Sequence, residues 1–422
     1  MPKSYLIRKA TIISPGHSNH LKKSDILIAN GLIEKIGTKI NAKATEISGK
    51  ELYVSVGWFD LKTHLTDPGF EFKDSLENIL ETAASGGFTG ICTLPNTQPV
   101  VNTKSAINYL KKIAESAITN LYPTGMVSDE QNAENLAEIF DMFTAGASAF
   151  TNGDIPISNG LLKKALLYTK PFNATIISQP IDMTIHQNGL VNESEATVHT
   201  GLKTSPTLAE YISVKQQIEI AEYCDAPLHI GGITCKQSVD LIAAAKKRGL
   251  KITCDTSIFN LCFTDNEVLT FDENFKIYPL LRSEIDRKAL IRAVKSGVID
   301  AISSNHNPQN IESKQVEFDY ADFGSLSLQF IYPWYLQYLS KSIDFEVFVE
   351  RFTAGARNVL NLDNPEIIEG QKANVTVFDA KENWVFNQET NKSLSRNTHM
   401  WNKEIVGKVV AVFNENKVNL YS

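Results

Sequence analysis

The chain has 422 residues, of which 43% are hydrophobic, and a formal net charge of −7 from 41 Lys+Arg against 48 Asp+Glu. That length supports a large buried core. The mildly acidic balance excludes a general nucleic-acid or anionic-membrane binder, both of which need basic surfaces. No run approaches the ~20 apolar residues of a membrane span, and the first residues do not read as a secretory leader. The five cysteines form no CxxC pair. They fit reduced, buried thiols and an expected cytoplasmic location.

The N-terminal segment alternates apolar and polar residues between turn signals, as in YLIRKATIIS and DILIANGLIEKIG. This is the pattern of short antiparallel strands, with a hairpin expected at Asn30-Gly31. From Tyr53 onward, short apolar runs alternate with amphipathic helical stretches. The runs are YVSVGWFDL, FTGICTLP, NLYPTGMV, ASAFTN, ATIISQPI, APLHIGGI, LKITCDTS and GVIDAISSN. Eight strand–helix repeats predict a (β/α)8 TIM-type barrel. Strand patterns return in ANVTVFDA and IVGKVVAVFNENKVNLYS. The expected fold class is therefore α/β, with the barrel over 54–361. Residues 1–53 and 362–422 together are expected to form a small β-sandwich domain.

In such a barrel, chemistry sits at the C-terminal ends of the strands. Strand 1 ends in Asp60-Leu61-Lys62-Thr63-His64, and alternation places Asp60, Lys62 and His64 on one inward face. The other strand ends offer Asn96, Asn152-Gly153-Asp154, Gln179, His229, Asp255 and Asn305-His306. A hydrolytic metal site needs several His, Asp or Glu ligands on one point. The strand-end histidines His64, His229 and His306 are single, with no HxH and no HExxH. Each can equally be a hydrogen-bonded structural histidine. Asn96 can bind a ligand or simply close a βα turn. The aromatic run Phe330–Tyr335 reads either as a partner surface or as a helix packed on the core.

The segment GWFDLKTHLTDPGFEFKDSLENILETAASGGFTGICTLPNTQPV resembles the first barrel segment of the dihydroorotases, in the amidohydrolase superfamily. The resemblance continues through ATVHTGLKTSPTLAE, PLHIGGIT, PLLRSEIDRKAL, GVIDAISSNHNP, GARNVLNL and EGQKANVTVFD, covering nearly the whole chain. It implies hydrolysis of a cyclic amide, interconverting dihydroorotate and carbamoyl-aspartate in pyrimidine biosynthesis. It also implies a zinc site and an Asp that shuttles the proton.

Carried over by this resemblance, most of the site is replaced. The ligand positions fall on Lys62, His64, Asn152, Gly153, Gln179, Gly232 and Asn305, and only His64 keeps a ligand side chain. The general-base position falls on Asn305. Of the substrate-binding positions, Asn96 survives and the Arg falls on Thr66. A one-residue shift would bring in Asp154. The expectation is a non-catalytic dihydroorotase homologue with no cofactor, in which the Lys62 ammonium takes the metal position, neutralised by Asp60, Asp154 or Asp255. Degenerate members of the family serve as partners of aspartate transcarbamoylase, so that partner and a homo- or hetero-oligomer are expected. Two alternatives stand beside it. One is an active hydrolase with zinc on a rearranged cluster of His64, Asp154, His229, Asp255 and His306. The other is a sensor that keeps the pocket without the chemistry.

Overall fold

The computed structural model describes residues 4–130 and 134–421. The chain opens with five strands, β1 (Ser4–Ile13), β2 (Lys23–Ala29), β3 (Leu32–Gly37), β4 (Thr45–Ile47) and β5 (Leu52–Val56). β2 and β3 form the hairpin expected at Asn30-Gly31, and both turn residues adopt positive φ, 52° and 73°. That is the backbone a two-residue hairpin turn demands.

The barrel strands follow: β6 (Trp58–Thr63), β7 (Phe88–Thr93), β8 (Asn120–Pro123), β9 (Ile177–Ser178), a short ribbon of β10 (Val191–Asn192) and β11 (Thr204–Ser205), then β12 (Leu228–Ile230), β13 (Ile252–Ser257) and β14 (Ala301–Ser303). The wall runs in parallel pairs, β6–β7–β8 on one side and β9–β12–β13–β14 on the other. Single bridges join the halves. Phe150 pairs with both Gly125 and Ile176, and Thr63 pairs with His306. The expected fourth strand, ASAFTN, is thus one bridging residue rather than a full strand. Amphipathic helices such as Leu76–Ser85, Lys104–Ala114 and Leu208–Cys224 surround the wall.

Three strands close the chain, β15 (Asn374–Val385), β16 (Glu404–Asn414) and β17 (Lys417–Leu420). They join the first five in one eight-stranded sheet, through antiparallel pairing of β15 with β5 and parallel pairing of β5 with β1. Its core holds Ile7, Ile12, Ile26, Ile28, Val54, Val375, Val377 and Phe413. Because Leu52–Val56 belong to this sheet, the chain enters the barrel after Gly57 rather than at the expected 53/54 boundary.

Trp58 fastens the two parts together. It is fully buried, packs against Phe88, Phe348 and Phe352 and against Phe378 of β15, and donates from Nε1 to Ser55 Oγ at 3.0 Å. The run Phe330–Tyr335 lies in the same core, with Phe330, Ile331 and Trp334 fully buried. Its alternative as a partner surface is excluded by that burial. No helix among the described residues is long and apolar enough to cross a membrane.

Candidate functional site

The lower end of the barrel is apolar. Phe59, Leu61, Cys92, Ala149 and Ala301 pack against Ala356 and Val359 of the helix Ala354–Val359 and against Leu360 just after it. Arg357 of that helix donates to Gly57 O at 2.8 Å, which fixes the helix below the start of β6.

Above this layer the strands carry polar groups. Lys62 Nζ donates to Asp154 Oδ1 at 2.7 Å, and His64 Nε2 lies 3.4 Å from Asp154 Oδ2, out of hydrogen-bond alignment. Burial raises the Asp154 carboxyl, but the Lys62 and His64 charges and the Lys62 hydrogen bond outweigh it and hold it below the ordinary carboxylate range. Burial drives the His64 imidazole down to about 4, with Lys62 adding to the fall and Asp154 opposing it. His64 is therefore neutral at pH 7.

A second pair stands on the opposite wall. His229 Nε2 meets Asp255 Oδ1 at 3.1 Å, and His229 Nδ1 meets Thr253 Oγ1 at 2.9 Å. Asp255 also accepts from the Gly232 amide at 2.9 Å and from Ser303 Oγ at 2.6 Å. Burial raises this carboxyl too, and the His229 and Ser303 hydrogen bonds bring it below its usual range. The cavity that Lys62, Gln179, His229 and Asp255 help to line measures about 20 Å³. That is room for about one water, far below the ~300 Å³ at which small-molecule pockets begin.

The remaining expected residues are tied into the framework. The β6–β7 register shifts between Asp60 and Thr63, and the Lys62 ammonium pairs with Asp154 rather than with Asp60. The Asp60 carboxylate instead accepts from Ser304 N, Ser304 Oγ and Thr63 Oγ1, each at 2.6 Å. Thr66 Oγ1 donates to Asp74 O at 2.7 Å. Asn152 Oδ1 accepts from the amides of Val127 and Ser128 at 3.1 and 3.2 Å. Asn96 Nδ2 donates to Asn152 O at 3.1 Å, and its Oδ1 lies 1.5 Å from where a Cβ on Gly153 would be. Asn96 therefore closes the loop, and only glycine fits at 153. Asn305 Nδ2 donates to Tyr278 O at 2.9 Å. His306 Nδ1 accepts from the Ser327 amide at 3.0 Å, and burial pushes its ring down to about 3.

Sequence reading missed two features of this end. Tyr278 holds Asn305 through its carbonyl, its ring lies 6.0 Å from those of His186 and Phe323, and burial with the nearby Asp154 charge raises its phenol. Two buried lysines bind neighbouring loops through backbone carbonyls. Lys276 Nζ donates to Phe318 O and Asp319 O, and Lys314 Nζ to Asp322 O and Gly324 O. No motif or spacing marks any of the three, because each acts through backbone carbonyls, which carry no residue signature.

The residues present do not fit a zinc ion. Gln179 is a neutral amide, and Asp154 is already claimed by an ammonium whose charge opposes a dication. Gly232 sits at φ +66°, and a Cβ there would lie 2.9 Å from Pro279 Cγ, so the loop has closed where a ligand side chain would project. The five residues of the rearranged cluster divide into His64–Asp154, His229–Asp255 and a separately held His306. Among the described residues no three His, Cys, Asp or Glu groups gather as a metal-holding set.

A parallel barrel with both chain ends in one sheet is the architecture of the cyclic amidohydrolases. L-hydantoinase (dihydropyrimidinase) from Arthrobacter aurescens superposes with a TM-score of 0.86 at 20% identity, over 100% of this chain and 98% of that one. A D-hydantoinase gives 0.81 at 20% identity, over 99% and 95%. Sequence narrows the class further. The family described as "Dihydro-orotase-like" matches residues 52–238. The dihydroorotase of Ruminiclostridium cellulolyticum is 34% identical over 397 residues, 92% of this chain and 93% of its own. That of Aquifex aeolicus is 32% identical over 418 residues, 98% of each. The chain belongs to the dihydroorotase family.

Proposed function

We propose that this protein is a dihydroorotase homologue of pyrimidine biosynthesis that does not hydrolyse dihydroorotate and acts as a structural or regulatory partner of aspartate transcarbamoylase. The observation that carries the first half is the ion pair of Lys62 with Asp154 at 2.7 Å, at the strand end where the family resemblance implies a metal. An ammonium at this point repels a dication and supplies no Lewis acid. At the general-base position, Asn305 offers an amide that cannot take a proton, and losing a general base alone removes ~10²–10⁴ in rate. At Thr66 a hydroxyl cannot make the bidentate contact by which Arg holds a carboxylate. The partner role rests on the family resemblance, in which degenerate members assemble with that transcarbamoylase.

Two measurements on one preparation test this reading. Carbamoyl-aspartate formation from dihydroorotate, with zinc added, is expected to stay at background. Light scattering with aspartate transcarbamoylase at micromolar concentration is expected to show a complex. Zinc-dependent turnover that disappears in His64→Ala would make the protein an active hydrolase with a rearranged site. Absence of any complex would remove the partner role.

A further inference from the structure

The terminal sheet carries a concavity of about 1000 Å³, built apart from the barrel strands. Its floor is an ordered pair, with Arg8 Nη1 3.0 Å from Asp25 Oδ2 and Arg8 also paired with Glu46. The β1–β2 register shifts between Ile7 and Ala10, so Arg8 and Lys9 lie in a bulge, and Lys9 takes φ 48°. Bulges of this kind re-aim side chains. Lys39, on the opposite rim, takes φ 55°. Non-glycine residues bear such backbone only where the surroundings impose it.

Charge is concentrated here. The lining holds five cationic side chains, Arg8, Lys9, Lys23, Lys39 and Lys50, against Asp25 and Glu46, a net of three positive charges in a chain whose total is −7. Arg8 is satisfied by its two carboxylates, and Lys50 pairs with Glu382 at 2.9 Å. Lys9, Lys23 and Lys39 are exposed and make no ion pair among the described residues.

The backbone decides which anion fits. The amides of Lys9 and Ile40 are spent on Asp25, at 2.9 and 3.1 Å, and those of Lys50 and Glu51 on Asp379, at 2.6 and 3.1 Å. Those four amides are therefore not available to cradle a phosphate. No aromatic side chain lines the concavity to stack a base. What remains is three ammonium groups on flexible stems over a wide, open surface. That suits carboxylates spread along an extended chain rather than one compact phosphate.

We propose that this concavity docks an acidic, extended segment of a partner protein, its carboxylates meeting Lys9, Lys23 and Lys39. The site is independent of whether the barrel is active, so the two readings fail separately.

The test is fluorescence anisotropy of a labelled hexaglutamate peptide with the full chain at low salt. Saturable binding is expected, weakening as salt is raised to about 0.15 M because exposed pairs are screened. Lys9→Glu combined with Lys39→Glu is expected to weaken it by roughly tenfold or more. Lys295→Glu, on an outer barrel helix, removes the same kind of charge elsewhere and is expected to leave it nearly unchanged. Circular dichroism melts check folding. Should the double variant not fold, Lys23→Glu, at an ordinary strand-start position, carries the same expectation. No binding, or equal loss in Lys295→Glu, overturns the site. Tripolyphosphate that displaces the peptide at far lower concentration than free hexaglutamate overturns the acidic-segment assignment.

Discussion

The two ends of the barrel are built from the same strands by different physics. At the lower end Phe59 and Leu61 of β6 bury apolar surface against Ala356 and Val359. Stabilisation there follows area and tolerates exchange among apolar side chains. At the upper end Lys62 of the same strand is held by one carboxylate, and its neighbours form a chain of specific hydrogen bonds. Removing one member of a buried charged pair is costly, because it leaves the other unpaired. Lys62 comes with Asp154, and Asn305 comes with the Tyr278 carbonyl. What holds the barrel together lies one layer below its polar strand ends.

The largest effect should come from the apolar side. Trp58→Ala empties a fully buried site ringed by aromatics and should cost about 3–5 kcal/mol in urea unfolding. A much smaller loss would mean that Trp58 does not join the sheet to the barrel. Next is the polar layer. Lys62→Met leaves Asp154 unpaired. Because that carboxylate keeps 30% side-chain exposure, the cost should be about 1–2 kcal/mol rather than the larger figure for full burial. Adding Asp154→Leu should recover part of it. A double variant no better than the single would show that the two charges do not depend on each other.

The pH dependence sharpens the contrast. His64, His306 and His399 are held down to about 4, 3 and 4 by burial. Their unfolded forms titrate near 6.5 and so take up protons first as pH falls. Stability should be fully present above pH 6.5 and decline steadily toward pH 4, read from urea midpoints. His399 packs against Phe275 and Trp334 with both ring nitrogens unpartnered, so His399→Phe should flatten part of that decline. A midpoint independent of pH between 6.5 and 4 would contradict these positions. The smallest effect is an expected zero. A ligand at 100 times its dissociation constant stabilises by ~2.7 kcal/mol, yet added zinc should leave the melting temperature of this protein where it is. An upward shift abolished by His64→Ala would show a metal site after all.

Local signals in the sequence carry much of this fold. The Asn30-Gly31 turn and the alternation of apolar runs with helical stretches are local signals, and the β2–β3 hairpin and the βα order follow them. Reading the strand ends also set Asp60, Lys62 and His64 on one inward face and offered Asp154 as one of three carboxylates that could neutralise Lys62. Local pattern failed wherever a single residue departed from regularity. The strand register shifts after Asp60, whose carboxylate binds Ser304, and the wall between β8 and β9 reduces to the one bridging residue Phe150.

Side-chain type and spacing alone pointed to a βα barrel between two strand-rich ends; that amides, glycine and a lysine stand at metal-ligand positions is what the family resemblance implies. Such features depend on residue chemistry and short-range periodicity, which a linear string preserves. Which carboxylate neutralises Lys62, how Tyr278 comes to hold Asn305, and how Lys9, Lys23 and Lys39 come to share one concavity were settled only in three dimensions. Those contacts join residues far apart in the chain, and their partners are selected by packing and burial rather than by sequence distance.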